Sequence, residues 1–311
     1  RMQWNGVMPA MTTAFHPDLS VDHEFMRHHA NWMLANGCTG LVMLGSLGEG
    51  ATLTDEEKIA ILRNITASVA GRAPVVAAIS SLSTSGAIRL AKESEQAGCA
   101  GLMVLPPYVY SSDWREMRAH VSTVLAATPL SCMLYNNPVA YKTDFLPEQI
   151  AELASSHENL HAVKESSADI RRIAAIRSLL TDRLSILVGV DDALVEGVSA
   201  GAVGWIAGLV NAFPAESVAL FHLAQTGKHD KAVELYRWFL PLLRMDTVPK
   251  FVQLIKWVQQ ELGVGSARVR PPRLELEGDE LTDARHKLQQ ALATRPALTT
   301  IGFAESLGAR A

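Results

Sequence analysis

Eight short apolar runs, each followed by a stretch with helical patterning, constrain this chain more than any other feature. The runs are VMPAMTTAF from Val7, GLVMLG from Gly40, PVVAAIS from Pro74, GLMVLPP from Gly101, LSCMLYNNP from Leu130, LHAVKES from Leu160, SILVGV from Ser185 and GAVGWIAG from Gly201. A strand covered on both faces reads as a nearly continuous apolar run, and such strands alternating with amphipathic helices build a parallel sheet. The helix boundaries are marked. Ser20 or Asp22 opens the first helix, which stops at Asn36-Gly37; Thr54 with Glu57 forms a capping box; Gly98 and Gly201 read as stops. No GxGxxG follows the first run, and about eight strand–helix units predict a closed (β/α)8 TIM barrel rather than a doubly wound open sheet.

The barrel is expected over residues 1–227. From 228 to 298 the helical patterning runs on without another strand-like segment, which predicts a C-terminal helical appendage. Residues 299–311 are a short unpatterned tail. Tyr236, Trp238, Phe239 and Trp257 recur at helical spacing in the appendage and read as core or subunit contacts rather than a ligand cage. A length of 311 residues suits one such barrel with additions. The net charge of −4 leaves no basic footprint for nucleic acid or an anionic membrane, and no apolar stretch nears the roughly 20 residues of a membrane span. A small-molecule substrate is therefore expected. Cys38, Cys99 and Cys132 are odd in number, lack CxxC spacing and follow no secretory signal, so they read as buried thiols in a reducing cytoplasm. The ten histidines contain no HExxH-type pair, so no metal site is expected.

In a barrel of this kind chemistry gathers at the carboxyl ends of the strands. The sixth run ends in Lys164. An ammonium buried there tends to shed its proton, and a neutral amine attacks carbonyl carbon, which makes Lys164 a candidate Schiff-base lysine. The alternative is a lysine that snorkels to solvent or pairs with Glu165. Lys58, Lys92, Lys228, Lys231 and Lys287 instead lie in charged helical stretches and read as solvated faces. The fifth run ends in Tyr135, either a phenol that relays protons to an imine or a packed, hydrogen-bonded tyrosine. The fourth is followed by Tyr108 and Tyr110. The second ends in GSLGEG, where glycines, the hydroxyl of Ser46 and backbone N–H groups can cradle a carboxylate or simply form a turn. Glu49 reads as a brace for that loop rather than a catalytic group.

In order, GSLGE, PPY, YNNP, VKESS, GVDD and GWIAG span nearly the whole chain. This succession resembles the dihydrodipicolinate synthase and N-acetylneuraminate lyase family of Schiff-base barrels. The resemblance implies that Lys164 forms the imine, that Tyr135 relays protons, and that Ser46 and Leu47 occupy the loop that holds the substrate carboxylate. It places Ile206 where a backbone carbonyl lies near the bound keto acid, and Tyr108 where the family lends a tyrosine to a neighbouring subunit. A homodimer or homotetramer is implied with it. Two departures stand out. Leu47 replaces a second threonine of the synthase loop, which puts the hydroxyl relay through it in doubt. Ala140 stands where synthases carry an arginine for the far carboxylate of aspartate semialdehyde.

Within the family, YNNPVAY, SSADIRRI, GWIAGLVNAFP and YRWFLPLL followed by DTVPK are similar to the 1-pyrroline-4-hydroxy-2-carboxylate deaminases of bacterial hydroxyproline breakdown. That similarity implies a lyase or hydrolase chemistry on a keto acid or cyclic imine carboxylate, giving 2-oxoglutarate semialdehyde and ammonia, with no cofactor beyond the covalent imine to Lys164. Asn137, and after it Tyr141 and Lys142, are candidates to recognise the substrate hydroxyl or ring nitrogen. Competing expectations are an aldolase or dehydratase for 2-keto-3-deoxy sugar acids, a 4-hydroxy-tetrahydrodipicolinate synthase-like lyase, and a non-catalytic barrel that binds a keto acid.

Overall fold

Each of the eight apolar runs contains a strand in the computed structural model, which describes residues 2–107 and 113–299. The strands are β1 (Gly6–Pro9), β2 (Leu41–Met43), β3 (Val75–Ile79), β4 (Gly101–Val104), β5 (Ser131–Asn136), β6 (Leu160–Glu165), β7 (Ser185–Val188) and β8 (Gly204–Ala207). All pair in parallel, in the order β1-β8-β7-β6-β5-β4-β3-β2. The parallel bridge between Ala10 and Val42, with Met11 N donating to Val42 O at 2.9 Å, joins β1 to β2 and closes the ring. The fold is a (β/α)8 barrel. Every residue of β3, β4, β5 and β8 is buried, which is the condition that made their sequences nearly unbroken apolar runs.

Local signals set the intervening helices. Of the two candidate openings of the first helix, His23–Ala35, Asp22 is the cap: its carboxylate accepts from Phe25 N at 2.9 Å. Thr54 and Glu57 form the reciprocal capping box of helix Asp55–Val69. Gly98 and Gly201 end their helices at φ of 89° and 113°, a region that side chains with a Cβ rarely enter.

After β8 come helices Pro214–Gln225, His229–Leu243, Phe251–Glu261 and Gly278–Ala293. The first two pack together through aromatic edges, with Phe213 and Phe239 ring centroids 5.8 Å apart, and Trp238 Nε1 donates to Ala291 O at 2.9 Å. These rings are partners within the chain. Cys38, Cys99 and Cys132 are buried free thiols; burial pushes Cys99 and Cys132 up to about 12, so neither is a ready nucleophile. Among the described residues no helix is long and apolar enough to cross a membrane.

Candidate active site

Tyr135 and Lys164 are register partners on β5 and β6, so the parallel ladder sets them side by side at the carboxyl end of the barrel. The Lys164 amine sits 3.9 Å from the centroid of the Tyr135 ring. Lys164 is only 7% exposed, and no carboxylate lies within ion-pair distance of it among the described residues. Glu165 does not pair with it, because that carboxylate is occupied by Ser167 N at 2.8 Å and Asn136 Nδ2 at 3.3 Å. Burial lowers the Lys164 pKa from its ordinary value, opposed more weakly by the acidic groups of Tyr141, Asp246 and Asp191 nearby. The snorkelling and paired alternatives are thus absent, and the lysine has the environment of a nucleophilic amine.

A second lysine tests that inference. Lys256, in helix Phe251–Glu261, is also buried, but its amine is 2.8 Å from Glu49 Oε2, donates to Thr13 O at 2.7 Å and lies 4.4 Å from the Phe15 ring centroid. Burial pulls its pKa down too, and Glu49 opposes that directly. One buried amine is thus neutralised by a partner; the other faces the barrel mouth.

Phenols surround Lys164. Asn137 Nδ2 donates to Tyr135 OH at 3.1 Å, while Asn137 Oδ1 caps the short helix Pro138–Tyr141 by accepting from Ala140 N at 3.0 Å. That helix swings Tyr141 onto Tyr135, edge to face with centroids 5.7 Å apart, and the Tyr141 hydroxyl bonds to Ser46 Oγ. Burial raises both phenol pKa values, so both rings keep their protons in the resting site. Ser46, Tyr141 and Tyr135 therefore form a contiguous row of hydroxyl-bearing side chains that ends at the ring under the lysine amine, all within one chain. Lys142 does not join it: its amine turns back to Val139 O at 2.9 Å.

The Ser46 loop follows β2. Leu44 and Glu49 adopt φ of 69° and 55°, and a Cβ on Gly48 would lie 2.9 Å from Met11 O, so the turn needs its glycine. Thr13 Oγ1 donates to Gly48 O at 2.6 Å. The N–H groups of Ser46 and Leu47 find no acceptor among the described residues, which leaves them available to an anion. Glu49 anchors the far side of the turn through Lys256 and through Arg270 N, which donates to Glu49 Oε1 at 2.9 Å. The brace role is borne by this buried pair, whose cationic half lies in the C-terminal helices.

Ile206 is buried next to the last residue of β8, and Leu47 is buried in the loop. Tyr108 and Tyr110 lie outside the described residues. Ala140 is exposed on the short helix after β5. Beyond β7, Asp191 is fully buried and accepts from Trp205 Nε1 at 3.0 Å, Gly208 N at 3.1 Å and Leu209 N at 2.8 Å, tying the β7 and β8 ends together. Reasoning from sequence assigned no role to Asp191, Asp246 or Lys256. The one available signal was GVDD, which put an acid at a strand end.

Residues 3–291 match the sequence profile described as the Dihydrodipicolinate synthetase family. The chain belongs to that family. It is accordingly an enzyme of the Schiff-base lyase kind. It is similar to 4-hydroxy-tetrahydrodipicolinate synthases of Haloarcula marismortui, 31% identical over 92% of this chain and 94% of the relative, and of Methanococcus maripaludis, 30% identical over 93% and 98%. Among solved structures, the 4-hydroxy-tetrahydrodipicolinate synthase of Methylacidiphilum fumariolicum SolV superposes with a TM-score of 0.92 at 26% identity, covering 96% of this chain and 99% of that one. A prophage protein of the dihydrodipicolinic acid synthase family from E. coli K12, solved in complex with pyruvate, superposes with a TM-score of 0.87 at 26% identity, covering 93% and 99%.

Proposed function

We propose that this member of the dihydrodipicolinate synthetase family is a Schiff-base deaminase that converts 1-pyrroline-4-hydroxy-2-carboxylate to 2-oxoglutarate semialdehyde and ammonia. Lys164 attacks C2 of the cyclic imine, and the ring nitrogen leaves C2 as a new imine to Lys164 forms. Loss of a C3 proton gives an enamine, with Tyr135 as the relay and Tyr141 and Ser46 extending it. The enamine expels the C4 hydroxyl as water, tautomerisation moves the unsaturation to C5 as an imine, and hydrolysis at C5 and at Lys164 releases the two products. The ring carboxylate is held by the Ser46 and Leu47 N–H groups, Asn137 orients the phenol, and the Ile206 carbonyl faces the bound carbon skeleton. The imine to Lys164 is the sole cofactor-like element of this scheme.

The observation that carries the substrate choice is Ala140. A synthase must hold two carboxylates, and a bidentate arginine clamp for the second is worth about 2–3 kcal/mol. A methyl group at that position supports a substrate with one carboxylate. The names of the relatives favour a second reading, 4-hydroxy-tetrahydrodipicolinate synthesis. Purified protein separates the two: ammonia release from hydroxypyrroline carboxylate supports the deaminase, whereas condensation of pyruvate with aspartate semialdehyde, without ammonia release, refutes it. Pyruvate release from 2-keto-3-deoxy acids would instead mark a sugar-acid aldolase. Borohydride in the presence of pyruvate should leave a covalent adduct on Lys164 in every one of these cases.

A further inference from the structure

Two glycines mark where the barrel mouth is kept clear. At Gly189, just past β7, a Cβ would stand 2.8 Å from Lys164 Cε. At Gly208, just past β8, a Cβ would stand 2.8 Å from Asp246 Cγ and closer still to its Oδ1. β7 and β8 are neighbours, so the side chain of Lys164 and the carboxyl of Asp246 pack against adjacent strand ends. Asp246 does not come from a strand or its following loop. It is carried in by the 3-10 turn Arg244–Thr247 that continues helix His229–Leu243. That turn is seated on the β7 end: Tyr236 OH donates to Asp192 O at 2.5 Å and to Glu196 Oε2 at 2.9 Å, and Arg244 Nε is 3.6 Å from Asp192 Oδ2.

Asp246 is half-buried and forms no ion pair within 4 Å among the described residues, while Asp191 beside it is fully enclosed. The three N–H donors on Asp191 stabilise its ionised form, so of two adjacent carboxyl groups Asp191 carries the charge and Asp246 the proton. Burial, reinforced by the Asp191 charge, pushes Asp246 well above the usual carboxylate range, whereas Asp191 is raised to about 6. A carboxylic acid that keeps its proton and is held at the strand end next to the one that packs the reactive lysine is a proton donor without a role in the scheme above.

We infer that Asp246 is the acid–base residue for the far end of the substrate, giving a proton to the departing C4 hydroxyl and taking one from C5. The assignment rests on the deaminase reading. As the C4–O bond breaks, the C2=C3 pair of the Lys164 enamine moves to C3=C4 and the lysine nitrogen becomes an iminium; the Asp246 proton goes to the oxygen, which leaves as water. The Asp246 carboxylate then removes a C5 proton. The C5–H pair forms C4=C5, the C3=C4 pair moves to C2=C3, and the iminium nitrogen regains its lone pair. Asp246 ends protonated, as it began, and protonation at C3 and C4 with addition of two waters frees both ends.

The test is Asp246→Asn, read in three ways: pyruvate trapped on Lys164 by borohydride, ammonia released from hydroxypyrroline carboxylate, and the oxygen content of the adduct trapped from that substrate. Pyruvate trapping should match the wild type, ammonia release should fall by about 100-fold or more, and the trapped adduct should retain the C4 hydroxyl oxygen. Ammonia release within about threefold of wild type would overturn the role of Asp246 and leave the deaminase intact. Loss of pyruvate trapping as well would make Asp246 a structural brace and overturn it too. A wild-type protein that traps pyruvate but is inert to hydroxypyrroline carboxylate would locate the failure in the deaminase reading, and the inference would fall with it.

Discussion

Replacing Lys256 by Met would break the buried pair that anchors the Ser46 loop. The two charges are 2.8 Å apart with side-chain exposures of 2% and 0%. At an effective dielectric near 20 their attraction is about 6 kcal/mol, most of which offsets the cost of taking both ions out of water. Removing one partner forfeits the attraction but leaves Glu49 enclosed, a loss of about 3–5 kcal/mol. Arg270 N still donates to Glu49 Oε1 and Met refills most of the lost volume, while the bond to Thr13 O is gone. For a chain of 311 residues the apparent melting temperature should fall by about 5–8 °C, measured by differential scanning fluorimetry at fixed protein concentration. The double variant Glu49→Gln with Lys256→Met should recover about 2 kcal/mol, because the stranded charge is removed with its partner. A Lys256→Met protein melting within about 2 °C of wild type, or strictly additive losses in the double variant, would refute the claim that this pair holds the loop.

Lys164→Met should abolish borohydride trapping and lower turnover by more than about a thousandfold, yet raise the melting temperature at pH 7. The native state depresses the Lys164 pKa below its ordinary 10.5, so this lysine costs stability at every pH below the unfolded-chain value; the variant's advantage should therefore shrink as pH rises toward 10.5. A melting temperature that falls at pH 7 would contradict the buried, unpaired amine. Tyr141→Phe should slow turnover by about 10²-fold while leaving the Lys164 adduct detectable by mass mapping, since it removes the hydroxyl that joins Ser46 to the Tyr135 ring; unchanged turnover would remove Tyr141 from the relay. Ala140→Arg should raise kcat/KM for aspartate semialdehyde by about tenfold or more in the condensation assay and leave the mono-carboxylate substrate little affected, and no gain would show that position 140 does not govern the second carboxylate.

The barrel was legible because parallel strands buried on both faces write themselves as apolar runs. The run from Val7 extends nine residues, but β1 covers only Gly6–Pro9, with Ala10 bridging to Val42 and Thr13 leaving the sheet to hold Gly48. Periodicity reports burial, and burial continues past the point where the ladder stops. Tyr135 and Lys164 were legible for a related reason: each stands next to the last residue of its strand, and neighbouring strands of a barrel bring their ends together whatever the loops do.

The sequence by itself determined the eight-unit barrel, the glycine turn after β2, and the lysine and phenol at consecutive strand ends, because each is a local pattern within one run. Only the tertiary structure decided which buried lysine is free to react. Lys256 meets its carboxylate 207 residues away, whereas Lys164 forms an ion pair with none among the described residues, and no spacing rule connects those partners. It also decided that Tyr141 reaches Ser46 within the chain and that Asp246 arrives at the β8 end from a turn far beyond it. Charge pairing and proton sharing act over a few ångströms of space, and the distance along the chain that separates such groups leaves no trace in local composition.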